Sequence, residues 1–473
     1  MSTKHLSRLG SSAVLGLLLS VAAAADDYDD LGGFGEDQDE FSIDLEEELG
    51  PEDGEPRTTR WWDVDGSVAL SSSFNYLSHD SVTGTDYSGL SRLRTRLNLQ
   101  LDFDLPSDWE LRVEPYIWYD FSYLINRRSN FTADVLDDYE WEGDFQDTWI
   151  QGPVFEDVVL KIGRQVVNWG HSDSLRVLDV LNPLDNRVPG LADIEDLRWP
   201  VGMAKFDWYI GSHWTVSAMA IPEIRVDTLP AFGSDFDPSP VPGPPKSKPE
   251  SFKDWESAAA IRGIFEGWDV SVNFAYVFED IPRLELVNIQ PDPCAGFPPT
   301  PGSFTQVYDR LTLAGAGGNY TFGSWLLKAE AAWTGGFEFA CADGKKSRSD
   351  VMGGVEYYGF SESVLVFEVA ERHIFGYEGV VVGFPTFERQ DSLTYAFRYS
   401  ADWLNARLST MLLATAFGWR AQDGGILRAQ GDYAIRDGLV LTLGVLLYYE
   451  GELPPLDSWG RNDRVFFNLE WSF

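Results

Sequence analysis

Arg92, Arg94 and Arg96 occupy every second position of a stretch whose intervening residues include Leu93, Leu97, Leu99, Leu101, Phe103 and Leu105. Side chains of an extended chain alternate between two faces. Three guanidinium groups therefore share one face with Asn98, Gln100, Asp102 and Asp104, and the leucines share the other. The same reading puts Arg112, Glu114, Lys205, Asp207, Lys328, Glu330, Arg398, Arg407, Arg428, Asp432 and Glu470 on the polar faces of further extended segments. The chemistry open to such a set is electrostatic. Opposed charges across a water-filled lumen set a transverse field that sorts solutes by charge. The same groups can equally close into ion pairs that only stiffen a wall. Lys or Arg turned toward lipid near the bilayer midplane would cost about 2–4 kcal/mol, so the charged faces are expected to point inward.

A second set lies in the connection 167–199. Ser172 or Asp173 can cap a short helix over 174–180, with Leu175, Val177, Leu178 and Val180 as its apolar residues and Asn182-Pro183 as its stop. The connection is too apolar to float in solvent, so it packs on an outer rim or folds into a lumen. Folded inward, it places Asp173, Arg176, Asp179, Asp185 and Arg187 at a constriction. Alternatively, its Asp and Arg residues only hold the loop together. Cys294 and Cys341 fall in connections that leave adjacent strand pairs, so a loop-to-loop disulfide is expected. They form no CxxC pair and no metal-binding spacing. His79, His171, His213 and His373 are scattered, and His5 lies in the N-terminal signal segment. His171, Ser172 and Asp173 are consecutive, which rarely makes a working constellation. No nucleophile–base spacing or metallohydrolase motif is present, so neither catalysis nor a cofactor is expected.

These residues need strands to hold them. The last ten residues, RVFFNLEWSF, put Val465, Phe467, Leu469, Trp471 and Phe473 on one face. The same alternation recurs from Trp61 onward. Tight turns at 106–108, 211–212, 267, 322–323, 360–361, 401 and 436–437 alternate with long connections at 78–89, 125–139, 167–199, 223–255, 280–309, 336–349, 373–390, 417–424 and 450–462. Short and long connections in strict turn define an all-β, up-and-down antiparallel transmembrane barrel. About 18 strands are expected. The weak alternation of 144–150 and 261–265 leaves 16 open. A soluble sandwich has no need for one class of connections to be always long. The Pro-rich run 238–245 is a stiff extended spacer.

Composition agrees. With 36 basic and 75 acidic residues the net charge is −39, which excludes nucleic acid as a partner. Aromatic residues make up 14%, including 18 Trp, as interfacial girdles require. Residues 1–25 read as a secretory signal peptide: Lys4 and Arg8, an apolar core, then small residues. Residues 26–58 carry 15 acids and one base. Such a leader is expected to be disordered in the periplasm, to dock on a periplasmic partner, or to fold back into the lumen. Residues 59–473 are the barrel. Its partners are the outer-membrane bilayer and, through the strand ending at Phe473, the barrel-insertion machinery.

The run KIGRQVVNWG at 161–170, followed by LDVLNPLDNR at 178–187 and Pro189-Gly190, resembles the signature of a proteobacterial family of outer-membrane barrels catalogued as a domain of unknown function. The resemblance covers the whole mature body. It implies location in the outer membrane of a Gram-negative bacterium and a channel for small organic or hydrophobic solutes, with 167–199 as the constriction. The Gly-Arg-Gln run is also distantly similar to alginate-export barrels, which keeps polysaccharide export as an alternative. A non-conducting surface scaffold or adhesin acting through its loops is another.

Overall fold

The alternation resolves into eighteen antiparallel strands forming one closed sheet. The protein's structure is a computed structural model that describes residues 60–473, except 78–79, 193, 238, 240–242, 244–245, 287–303 and 383–386. The signal peptide, the acidic leader, His79 and Cys294 lie outside the described residues.

In chain order the strands are β1 (Trp62–Asn75), β2 (Gly89–Leu105), β3 (Trp109–Val113 and Pro115–Asp120), β4 (Trp141–Phe145 and Thr148–Phe155), β5 (Val158–Gln165) and β6 (Val201–Ile210). There follow β7 (Trp214–Ile221), β8 (Glu256–Phe265), β9 (Trp268–Phe278), β10 (Arg310–Phe322), β11 (Trp325–Phe337) and β12 (Lys346–Phe360). The last six are β13 (Ser363–Phe375), β14 (Asp391–Trp403), β15 (Leu408–Phe417), β16 (Gly425–Arg436), β17 (Leu439–Tyr449) and β18 (Arg464–Ser472). Each pairs with its sequence neighbours, and β18 closes on β1 from Ser67↔Ser472 to Asn75↔Arg464. Closure leaves no free sheet edge around most of the wall, which a lipid-embedded sheet requires.

The two stretches that alternate poorly are strands nonetheless. β4 is interrupted at Gln146-Asp147, which resets its alternation. On β8 residues 261–263 pair with both neighbours, Ile261 with Val216 and with Val272, and just before them Ala258 and Ala260 are apolar because a loop packs against them. Outward aromatics form two belts. Trp208, Trp214, Trp268, Trp325 and Trp403 lie beside the short turns, and Trp333, Tyr276 and Tyr449 toward the long loops; all are exposed. Leu70, Ile162, Phe206, Val272 and Leu443 cover the wall between. Tight turns use left-handed residues, for example Gly267 at φ 78° and Gly323 at φ 58°.

The band can be tested on β17. Leu443 faces out, while neighbouring Thr442 faces in and donates a hydrogen bond to Asp432. Leu443→Arg is expected to cost about 2–4 kcal/mol and Thr442→Arg less than half of that, read from denaturant unfolding in lipid vesicles.

Candidate functional site

At Gln165 the chain leaves the wall, and loop 166–200 folds into the bore. Asn182 ties its ends together: its Oδ1 accepts from Val167 N at 2.7 Å, and its Nδ2 donates to Gln165 O at 3.2 Å and Trp199 O at 2.9 Å. Between these ties Val167, Trp169, Leu175, Val177, Leu178 and Leu181 are buried against Met203, Met219, Ala258, Ala275, Leu313, Ala332 and Met352 of the inner wall. Leu178 is wholly buried. It lies where β10 has glycines: a Cβ on Gly315 would stand 2.4 Å from Leu178 Cδ2, and one on Gly317 2.9 Å from His171 Nδ1.

No helix forms over 174–180; among the described residues of the loop the helix is Ile194–Leu197. The amides are engaged elsewhere. Glu330 of β11 accepts from His171 N, from Ser172 N at 3.0 Å and from Leu178 N at 3.1 Å. Glu368 of β13 accepts from Ser172 Oγ at 2.7 Å, Asp173 N at 2.9 Å and Ser174 N at 3.1 Å. Charge-assisted bonds to two wall carboxylates replace the helical ladder. The expected cap survives without its helix, since Ser172 Oγ accepts from Leu175 N at 2.9 Å.

The five predicted constriction residues are all in ion pairs. Asp173 meets Lys328 at 2.7 Å, and Lys328 also pairs with Glu356. Asp179 meets Arg198 at 3.0 Å and Arg176 at 3.3 Å. Arg187 meets Asp185 at 2.6 Å and Glu142 at 2.7 Å. Their charges therefore fasten the loop. His171 pairs with Asp269 of β9 at 2.8 Å.

A second loop, 222–255, crosses the opening. Phe236 packs on Leu446, Tyr448 and Trp459, Asp235 holds Arg464 at 2.8 Å, and Tyr448 donates to Pro189 O of the first loop at 2.6 Å. Sequence reasoning noticed only the proline run here. The aromatic-flanked Phe232–Phe236 segment was the available signal. The two loops are linked by Asp227, which accepts from Leu184 N at 2.7 Å and Asn186 Nδ2 at 2.9 Å.

The predicted lumen residues mostly lie on the inner wall. Arg94 stacks on Trp118 at 3.5 Å and reaches Asp120 at 3.6 Å, while Arg96 lies over Tyr116 at 4.8 Å; Arg92 sits beside buried Ser73. Arg112 pairs with Asp102 at 2.8 Å, and Lys205 with Asp207 at 3.1 Å. Glu114 sits at the break in β3, its N–H donating to Thr148 Oγ1. Arg428 donates to Gln430, Asp432 accepts from Thr442, and Glu470 accepts from Asn468. Arg398 lines a cavity of about 450 Å³ near the short turns, with Asp402 and Asp432. Arg407 does not line the bore. Leu404, Asn405 and Ala406 are successive left-handed residues (φ 58°, 57° and 61°) that curl the turn, and Arg407 stacks over Tyr433 at 5.6 Å. Cys341 is disulfide-bonded. Glu371, His373 and Asp391 could together hold a metal ion, on the outward positions of β13 and β14 and away from the bore.

A closed antiparallel barrel with aromatic belts and loops folded inward is the architecture of a Gram-negative outer-membrane protein. Among solved structures, Acinetobacter baumannii OccAB1 matches with a TM-score of 0.50 at 10% identity, over 87% of this chain and 96% of that one. Pseudomonas aeruginosa OpdK, solved with vanillate, matches at 0.48 and 12%, over 87% and 98%. P. aeruginosa OccK2, solved in complex with glucuronate, matches at 0.48 and 13%, over 87% and 98%. No curated protein matches the sequence. The chain belongs to the family described as protein of unknown function DUF1302, whose model matches residues 9–453.

Two outcomes follow. Gly317→Val drives a side chain into the space of His171 and Leu178, so loop 166–200 should gain proteolytic sensitivity while the barrel remains folded. Burial pushes the Asp280 carboxyl well above its usual range, and the charge of Asp227 adds to this. A raised carboxyl contributes stability present below its ordinary pKa and lost as pH rises through the raised value. Asp280→Asn should therefore increase hydrogen-exchange protection of the Leu184 and Thr228 amides at pH 7 and leave it unchanged near pH 3.

Proposed function

We propose that the protein is a porin-like channel of the outer membrane that passes small organic or hydrophobic solutes past loop 166–200. The observation that carries this reading is the seating of that loop. A connection held inside the bore by Glu330 and Glu368 is a built constriction. The inner wall of β2 and β3 adds a row of guanidinium groups lying on aromatic rings, a surface suited to solutes with an apolar body and a negative charge. The non-conducting scaffold is the second reading. It draws on the second loop, which bridges from β7 to β17 and β18 across the same opening.

Single-channel recording in planar bilayers separates the two. Replacing residues 170–181 by a short Gly-Ser linker should raise conductance several-fold, and identical conductance would remove the constriction. Arg94→Ala with Arg96→Ala should shift selectivity toward cations with conductance little changed. Absence of any current in every form, with surface binding retained, would favour the scaffold.

A further inference from the structure

Among the described residues the barrel wall has a gap. Strand β5 turns inward after Gln165, and β6 rejoins the wall at Val201. The upper half of β4, Trp141–Phe145, pairs with β3 on one side, and among the described residues no backbone hydrogen bond leaves its other edge. Both strands break at the foot of this edge. β3 breaks at Glu114, next to Pro115, which has no N–H to give, and β4 breaks at Gln146-Asp147.

An open strand edge is not tolerated at lipid depth unless something fills it. Here side chains cover it, and Arg164 Nη1 donates to Phe145 O of the edge at 3.4 Å. Arg164 reaches Asp144 at 2.6 Å and Glu223 at 2.7 Å. Arg225 reaches Asp144 at 3.1 Å and lies over Trp199 at 4.8 Å. These four charged side chains are between 19% and 29% exposed, and partly exposed ion pairs are individually weak. The closure can open without breaking a strand ladder.

Its level is fixed by the aromatic belts. On β11 the outward residues Trp325 and Trp333 mark the two belts, 333 − 325 = 8 positions apart. On β5 the outward residues run from Val158, paired with belt residue Trp208, to Arg164, 164 − 158 = 6 positions. The ladder thus ends about one residue pair below the outer belt, where hydrocarbon meets headgroups. Outside the gap the wall presents Trp141, Phe145 and Ile162. Inside it, Glu142 holds Arg187, whose guanidinium faces Trp118 at 5.6 Å, the ring on which Arg94 also stacks.

We infer that this gap is a lateral gate through which an anionic amphiphile, resting in the outer leaflet with its head at the interface, enters the lumen. Its apolar body meets the outward aromatics, its head meets Arg164 and Arg225, and Arg94 on Trp118 receives it within. The inference rests on the channel reading and adds the route and the substrate class.

The test uses the full chain carrying Asp144→Cys and Glu223→Cys, the two acids that both bond Arg164, reconstituted in vesicles and bridged after assembly with a short bifunctional thiol reagent, so that folding is common to both forms. The probe is a fluorescent alkyl sulfonate, whose fixed charge stops it crossing lipid alone. Unbridged protein should pass the probe several-fold faster than wild type and bridged protein several-fold slower than unbridged, with potassium chloride conductance within twofold in all three. Equal probe entry before and after bridging, with conductance intact, overturns the lateral route and leaves the channel reading standing. A wild type that conducts ions but admits no probe does the same. A protein that neither conducts nor admits the probe overturns both.

Discussion

Hydrocarbon offers no hydrogen bonds, so every amide at membrane depth must find its partner within the chain. Around most of the circumference the strand ladders meet that demand, down to the β1–β18 seam that uses the last residues of the chain. The same demand governs the interior. A loop that leaves the ladder at Gln165 brings irregular backbone into a confined space, and its amides need acceptors there. Glu330 and Glu368 supply them. Buried carboxylates are costly alone but become tolerable when several donors converge on each. Lys328, bonded to Asp173 and Glu356, adds the compensating charge.

That arrangement explains why the inner wall is not uniformly polar. From β6 to β12 it presents Met203, Met219, Ala258, Ala260, Ala275, Leu313 and Met352 to the loop. Seen from the sequence these inward positions look wrong for a water-filled barrel. They are right for a wall that carries a second layer. The glycines at 315 and 317 belong to the same fit, because any side chain there would occupy the space of Leu178 and His171.

The barrel was legible because its signal repeats: alternate positions and alternating connection lengths both follow from a period of two and a two-sided membrane. The inner positions of Arg94, Arg96, Arg112, Lys205 and Lys328 followed from parity alone. What parity cannot reach is any contact between residues far apart in the chain. The helix expected over 174–180 was argued from local capping, and it lost to carboxylates about 150 to 200 residues downstream, as the bond from Leu178 N to Glu330 shows. Arg407 had the correct parity but fell in a turn curled by three left-handed residues. The crossing of Asp235 and Phe236 to β17 and β18 had no periodic signature at all.

The two walls of the bore are therefore unlike. From β6 to β12 the wall carries the apolar side of the seated loop, which elsewhere touches it through single residues such as Pro189 on Tyr448. The wall running from β16 through β18 and β1 to β3 keeps its polar inward residues: Arg428, Gln430, Asp432, Thr442, Asn468, Asn98 and Arg96. Within this second wall the charged groups are tethered to neighbours on their own or the next strand, as Arg112 is to Asp102 and Asp432 is to Thr442. Such short tethers hold the side chains against the wall. On the channel reading a solute moves along this polar strip with the loop at its back, and the cavity bordered by Arg398, Gln430 and Asp432 near the short turns lies on the same strip. On that reading, substitutions under the loop act by displacing it, and those along the polar strip act on the solute.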